Sequence, residues 1–352
     1  MTDTTLAQLS NTAIYSAMAV LTLAMLAYAL YLARLVPARE RAGDEEAERA
    51  PELVAAGAAG AEGAEVADDS GPTTPAVPSS PSSSSVASSA PPSPPASGRD
   101  DEPVAARKVA GIGYALTVLG TLLVVAGVLL RAAEVHRWPL GNMYEFAIVG
   151  SMFVLLAYVA WSTRRDLRWL GLFVVVPVLL NLGLAITVWY TDASELMPSL
   201  RSVWLAIHVS VATLSVAVFT IGFSLGILYL VQDRLESSGR STTFMARLPR
   251  ARSLERLAYG VHIVAFPLWT FTVIAGAIWA RQAWGSYWNW DPKEVWSFVI
   301  WVVYAAYLHA RATTGWKRQN ATWIALAGFV CLILNFAVVN VFFVGQHSYS
   351  GL

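Results

Sequence analysis

Residues 203–232 read VWLAIHVSVATLSVAVFTIGFSLGILYLVQ, a run of thirty positions without Asp, Glu, Lys or Arg. A helix of about 20 mostly apolar residues crosses the ~30 Å hydrocarbon layer of a membrane, so this run predicts a spanning helix. The same pattern recurs along the chain. In all, the predicted spans are roughly 12–35, 108–131, 143–161, 168–190, 203–232, 258–280, 295–311 and 321–344. The sequence therefore predicts an all-α, polytopic integral membrane bundle with eight spans.

The composition agrees with this class and excludes others. Of 352 residues, 56% are hydrophobic and only 14% are charged, outside the range of soluble globular domains. The formal net charge is zero, so no basic field favours a nucleic acid as partner. The single cysteine, Cys331, excludes an internal disulfide, a CxxC pair and a CxxCH motif. Any thiol chemistry must therefore come from other proteins.

Three regions follow from the change in composition along the chain. Residues 1–35 lack a basic leader and a small-residue cleavage site, which predicts a retained transmembrane anchor. Residues 36–107 contain GDEEAERAPE and a Pro/Ser/Ala-rich tract, too polar to offset the entropy of ordering. We expect a disordered cytoplasmic linker there, acting as a spacer. Residues 108–352 hold the other seven spans and form the main domain.

The basic residues predict the orientation of the bundle. If the N-terminus is outside, the inner segments hold 19 of the 24 Lys and Arg residues, and the outer segments hold five. Positive charge accumulates on the cytoplasmic side of membrane proteins, so both termini should lie outside the cytoplasm. The outer basic residues are then Arg131, Arg137, Arg201, Arg281 and Lys293.

An aromatic loop lies between the sixth and seventh spans, on the predicted outer side. WGSYWNWDPKEVW, residues 284–296, contains four tryptophans, which is denser than an ordinary interfacial belt. A belt and a ligand platform remain the two interpretations of this loop. Trp279, on the preceding span, is expected to be a belt residue. Asp291 to Glu294 form a capping-box pattern that predicts a helix starting at Pro292, and Gly285 permits a turn.

Two of the five histidines fall on the outer side. His208 lies seven residues beyond Arg201, about 10 Å down a helix. His347 follows the last span in GQHSYSGL. We expect these two side chains to meet across the aromatic loop.

The other three histidines lie elsewhere. His309 is eighteen residues past Asp291, about 27 Å along the same helix and near the inner edge of the membrane. His262 is placed near the inner start of the sixth span, and His136 in the first outer loop. For His262 and His136 the favoured interpretation is an ordinary interfacial polar residue.

An aromatic shelf with two neutral imidazoles suits a planar metal macrocycle that carries carboxylates. Haem has this chemistry, because its iron takes two axial histidines and its ring stacks on indole faces. Its propionates can pair with basic side chains. The candidates are Arg201, Arg281 and Lys293.

The residues around the aromatic loop resemble a known family. GAIWARQAWGSYWNWDPKEVWSFVIWVVYAAYLHAR, together with LRSVWLAIHV, GQHSYSG and RWPLGNMYEF, is similar to the haem-handling membrane subunit of system II cytochrome c biogenesis. This is the tryptophan-rich WWD family of the cytochrome c synthetase complex. The resemblance covers roughly residues 108–352 and leaves out the first span and the linker.

The resemblance implies an activity and a set of site residues. Haem b is moved across the membrane, presented outside, and joined to the CxxCH thiols of apocytochrome c. His208 and His347 would be the external iron ligands, and His309 would hold haem within the membrane. The platform would consist of Trp284, Gly285, Trp288, Trp290 and Asp291. The second ligand opposite His309 would come from a partner.

The resemblance also implies partners and a location. These are a membrane subunit with a large external domain, apocytochrome c and thiol-reducing proteins, at the bacterial plasma membrane. The chain would belong to a holocytochrome c synthase, or haem lyase, complex. Whether it is the catalyst by itself stays open.

Two other functions remain compatible with the sequence. A di-haem electron-transfer cytochrome b would pair His208 with His347 outside and His262 with His309 inside. A transporter of some other flat or amphipathic solute would carry no iron porphyrin. The visible spectrum of the purified protein distinguishes these possibilities.

Overall fold

The computed structural model describes residues 3–59, 104–192, 202–239, 245 and 248–347. Its helices are α1 (Asp3–Ala59), α2 (Val104–Val135), α3 (Met143–Ser162), α4 (Gly171–Thr187), α5 (Val203–Ser237), α6 (Ala251–Trp284), α7 (Pro292–Ala312), α8 (Arg318–Ile333) and a last turn α9 (Asn340–Phe342). A 3₁₀ turn (Arg168–Leu170) leads into α4, and a π-helical turn (Leu334–Val339) joins α8 to α9. Eight helical segments in these described residues are long and apolar enough to cross a membrane. The predicted fold class is confirmed.

The first helix extends beyond the predicted anchor. Its apolar segment, Thr5–Arg34, agrees with the expected span, but the helical backbone continues to Ala59. The added part is rich in charged residues, so it lengthens the helix without lengthening the span. Most of the expected linker, residues 60–103, lies outside the described residues, and its disorder stays a prediction.

Glycines bring α1 and α2 close together. Three glycines of α2 are spaced seven residues apart, and each faces a side chain of α1 with no room for a Cβ atom. The pairs are Gly113 with Tyr28, Gly120 with Leu21, and Gly127 with Ile14. Small residues at such spacing let membrane helices approach closely. The hydroxyl of Ser10 also donates to the carbonyl of Gly127 at 2.8 Å. The first span is therefore packed onto the bundle.

Helices α5 and α6 occupy the centre of the bundle. One buried cluster is formed by residues of helices α1 through α5 and of the start of α6. A second is formed by residues of α5, α6, α7 and α8. Leu225 of α5 belongs to the first cluster and Phe219 to the second. Helix α5, which also carries His208, therefore contributes to both clusters.

The aromatic loop connects α6 to α7 as the sequence predicts. Helix α6 ends at Trp284, and Gly285 follows in the left-handed conformation with φ of 81°. Pro292 is the first residue of α7, and Asp291 and Glu294 form the capping box. Trp290 also has a positive φ, 56°, which is rare for a bulky residue. The turn and the helix start are confirmed.

Candidate functional site

A cavity of about 500 Å³ lies among α3, α4, α5, α6 and α8, at the end of the bundle that carries His208. Its walls are mostly apolar, and its polar and aromatic lining includes His208, His347, Trp279, Trp288 and Lys293. It continues inward to Thr220, twelve residues beyond His208 and so about 18 Å deeper. This size and character are typical of a pocket for one organic ligand.

His208 is fixed by α6. Its Nδ1 lies 2.9 Å from the backbone oxygen of Thr272, and a carbonyl can only accept, so Nδ1 carries the proton. The ring also packs on Gly276, where a Cβ would come within 2.8 Å of Nδ1. In this tautomer Nε2 keeps a lone pair that is available to a metal.

His347 is held by the residue that caps α7. Its Nδ1 lies 2.8 Å from Oδ1 of Asp291, an arrangement that orients metal-binding imidazoles in many proteins. Burial raises the pKa of Asp291, but hydrogen bonds from His347 and from the N–H groups of Lys293 and Gln346 outweigh it, so the pKa falls below its usual value. The carboxylate is therefore ionised at neutral pH.

One tryptophan contacts both histidines. The indole of Trp279 is stacked with the His208 ring at 6.1 Å between centroids and meets the His347 ring at 5.7 Å. Trp279 is 1% exposed, so its expected place in an interfacial belt is wrong. Its position is set by α6, because residues 272, 276 and 279 share one face of that helix. This face of α6 contacts His208 at all three positions.

The tryptophans of the aromatic loop have different environments. Trp284 meets His347 edge to face at 4.8 Å, and Trp288 lines the cavity. Trp290 is 76% exposed and touches Trp288 at 5.8 Å. The predicted platform is thus divided into an inner part at the cavity and an outer, exposed part.

The basic residues expected near the site lie in different environments. Lys293 lines the cavity and donates to Asn340 Oδ1 at 3.0 Å and to the carbonyl of Asn335 at 3.2 Å. Arg281 is exposed, donates to the carbonyl of Gly285 and lies over the ring of Tyr287. Arg201 lies outside the described residues.

The remaining histidines lie away from this cavity. His262 is 2% exposed and packs against Phe219, Tyr304 and Tyr307, so the prediction of an interfacial residue is wrong. The ring fits there because α5 offers a glycine opposite it. His309 is exposed on the surface of α7.

The loop between α2 and α3 forms part of the cavity wall, and its RWPLGNMYEF motif builds a buried charge network. Glu145 accepts hydrogen bonds from Arg131 at 3.2 Å, from Arg137 at 2.7 Å and from the N–H of Gly141 at 2.7 Å. Asn142 caps α3 by accepting from the N–H of Glu145 at 2.8 Å. These bonds fix residues 140–143, which line the cavity. His136, at the start of this loop, is exposed.

The family model of cytochrome c assembly proteins matches residues 140–347, from this loop to His347. The chain belongs to that family. It is 34% identical over 265 residues to the cytochrome c biogenesis protein CcsA of Guillardia theta, across 70% of the chain and 88% of that relative. The CcsA protein of Parasynechococcus marenigrum (strain WH8102) is 32% identical over 280 residues, across 70% of the chain and 89% of that relative. The resemblance drawn from the sequence is confirmed, and this family member is a multi-pass membrane protein.

Some residues of the cavity were not assigned a role at the site from the sequence, although three of them lie within the quoted motifs. Trp279, Thr272, Gly276 and Asn142 all take part in its geometry. The spacing of the three α6 residues was a usable signal, since it places them on one helical face. Nothing in the sequence indicates that this face packs on His208.

Proposed function

We propose that this chain takes part in cytochrome c maturation by holding haem at its outer face for attachment to apocytochrome c. Family membership supports the role in cytochrome c assembly. Because c-type cytochromes carry haem, this role involves haem. The more specific statements, that haem b lies in the cavity and that His208 and His347 bind its iron, are part of the proposal.

The observation that carries the proposal is the pairing of His208 and His347 on one cavity. Both rings are anchored through Nδ1, so both keep an Nε2 lone pair for a metal. Both also contact Trp279. Two oriented imidazoles beside an indole, in an apolar pocket, match the needs of a planar iron macrocycle.

The outer loop supplies the rest of the proposed presentation site. Trp284 and Trp288 meet the cavity side, whereas exposed Trp290 faces the outside, where the apocytochrome would approach. In the proposed reaction the S–H of each client cysteine adds across a haem vinyl group, with no net oxidation. The protein's contribution is orientation of the two partners. Reductant for haem iron and client thiols must come from other proteins.

His309 is proposed to serve an earlier haem position on the inner side. It is exposed on α7 and is roughly 27 Å of helix from Asp291, too far for a haem held at the outer cavity. Exposure toward the membrane suits a ligand that is completed by a partner subunit with a large external domain. The proposed setting is a system II complex in the bacterial plasma membrane, with both termini outside.

The geometry of α7 argues against the di-haem cytochrome b. His262 contacts Tyr307, and His309 lies two residues further, rotated by about 200° around the helix. The two imidazoles therefore lie on opposite faces of α7 and would not bind one iron. The described residues therefore contain no second pair of histidines that could bind one iron, as the di-haem cytochrome b requires.

The visible spectrum tests the proposal. The full chain, co-expressed with its partner and purified, should show a bis-imidazole haem spectrum. The double variant His208→Ala, His347→Ala should lose this component at the outer site. An unchanged spectrum in the double variant would refute the ligand assignment. A wild-type protein without porphyrin would favour the transporter of another solute.

A further inference from the structure

Asn142 lines the cavity, and its side chain carries a buried hydrogen-bond donor that has no partner among the described residues. Its Oδ1 accepts from the backbone N–H of Glu145 at 2.8 Å, and this contact fixes which atom is oxygen, because an N–H can only donate. Nδ2 is then the other atom, and it has no hydrogen-bond partner among the described residues. The residue is 9% exposed and lines the cavity. A buried amide donor of this kind costs free energy unless an acceptor arrives.

Lys293 brings a second donor to the same cavity. Its ammonium donates to two neutral oxygens, Asn340 Oδ1 and the carbonyl of Asn335. The nearby carboxylates are engaged elsewhere: Asp291 binds His347, and Glu294 accepts from the N–H groups of the aromatic loop. Among the described residues no ion pair joins Lys293 to a carboxylate. A charged donor in an apolar pocket favours an anionic partner.

The chain segments that carry the two donors are joined by one side chain. The side chain of Asn340 connects them, because its Oδ1 accepts from Lys293 and its Nδ2 contacts the sulfur of Met143. Met143 directly follows Asn142. Each donor also stands at the start of a long helix, α3 or α7, where the helix dipole favours negative charge.

We propose that Asn142 and Lys293 form a carboxylate-binding subsite that receives a propionate of the porphyrin. This rests on the proposed function, which places a porphyrin in the cavity. The subsite would fix the rotation of the ring about the iron axis, which His208 and His347 leave free. It thereby decides which edge of the macrocycle, propionate or vinyl, faces the outside.

The charges around the subsite permit an incoming anion. Arg131, Arg137 and Glu145 form a mutually paired group behind Asn142. Asp291 and Glu294 each accept hydrogen bonds from backbone N–H groups, and these bonds partly offset their negative charge. Lys293 and Glu294 both line the cavity, and Glu294 already accepts two backbone hydrogen bonds, which leaves the ammonium of Lys293 as the charged donor for the ligand.

Metal-free porphyrin tests the subsite without iron ligation. The full chain with its partner is titrated with protoporphyrin IX and with its dimethyl ester, and binding is followed by quenching of tryptophan fluorescence. Charge-assisted hydrogen bonds contribute about 1.5–3 kcal/mol, so the diacid should bind at least about tenfold more tightly than the diester. Lys293→Met and Asn142→Ser should each reduce this preference severalfold. Serine retains a helix-capping oxygen, so α3 stays capped.

A variant that introduces a negative charge, together with a matched control, gives a second test of the subsite. Asn142→Asp keeps the cap, removes the donor and should abolish the preference for the diacid. Gln282→Glu adds the same charge at an exposed outer position and should leave the preference intact. Thermal unfolding of each variant verifies that the bundle is folded.

The outcomes separate the subsite from the proposed function. Equal affinity for diacid and diester in the wild type, or a preference retained in all three variants, overturns the subsite. Ferric haem added to the same samples tests the iron ligands. A diacid preference without an imidazole-ligated spectrum refutes the assignment of His208 and His347 instead, and absence of porphyrin binding overturns both.

Discussion

Asp291 holds His347 and caps α7 with the same carboxylate. Oδ1 accepts from Nδ1 of His347 at 2.8 Å and from the N–H of Lys293 at 3.0 Å, while Oδ2 accepts from the N–H of Gln346. The start of α7 and the position of the candidate ligand are therefore set by one side chain. The aspartate of the aromatic loop thus supports both the helix and the proposed iron site.

Replacing Asp291 with asparagine should separate these two roles. Asparagine caps helices about as well as aspartate, so α7 should keep its start. The neutral amide supports the imidazole less than the carboxylate does, and we expect haem to be retained about tenfold less tightly. Haem content per protein and thermal unfolding give the two readouts. Asp233→Asn, near the C-terminal end of α5, is the control, and equal haem content in both variants would contradict the prediction.

Alanine at His208 or at His347 should prevent holocytochrome c formation without preventing membrane insertion. Each change removes one axial ligand and little of the packing that holds the helices together. Added imidazole should restore part of the activity by filling the empty coordination position. Haem-stained cytochrome c and the amount of protein in the membrane are the measurements. Normal cytochrome c levels in both variants would exclude the ligand assignment.

The tryptophans should differ in importance according to their contacts with the cavity. The sequence predicts larger effects at Trp288 and Trp290 than at Trp279, but the structure places Trp279 against both histidines and exposes Trp290. We therefore expect Trp279→Leu and Trp288→Ala to lower haem retention by severalfold, since an aromatic contact contributes about 1 kcal/mol. Trp290→Ala should have a smaller effect on retention. Equal losses at all three positions would indicate a general interfacial role.

His309 and His262 should behave differently when replaced. His309→Ala is expected to stop haem from reaching the outer site, because the partner's ligand then has no opposite imidazole. His262→Leu keeps an apolar side chain in the aromatic cluster and should leave haem transfer nearly intact. Haem content is measured for both variants, each co-expressed with the partner. Loss of the same spectral component in both would support the di-haem cytochrome b.

The orientation of the bundle can be measured independently of haem. The asymmetry of basic residues predicts that both termini lie outside and the Ser-rich tract inside. An epitope after Leu352 should be accessible from outside in intact cells, and one in the tract should not. The reverse pattern would invalidate the outer location of the cavity.

The sequence predicted the spans because apolar length determines membrane crossing almost by itself. It also predicted the capping box at Asp291, since caps depend on residues three positions apart. It did not predict the burial of Trp279 or His262, because both depend on which face of α6 meets α5 and α7. For a related reason the sequence did not predict a role for Asn142. Its capping of α3 follows from local sequence, but the missing partner of its side-chain amide is apparent only in the folded structure.

The two candidate iron ligands differ in how they are mounted. His208 belongs to a long helix that is packed on both sides, whereas His347 follows the π-helical turn and the short α9, and is fastened mainly to Asp291. The position of His208 is thus set by a helix of the bundle, whereas the position of His347 depends on the aromatic loop. Any displacement of that loop by an arriving client would pull His347 from the iron first. Binding of apocytochrome c would then itself release the haem from the proposed site.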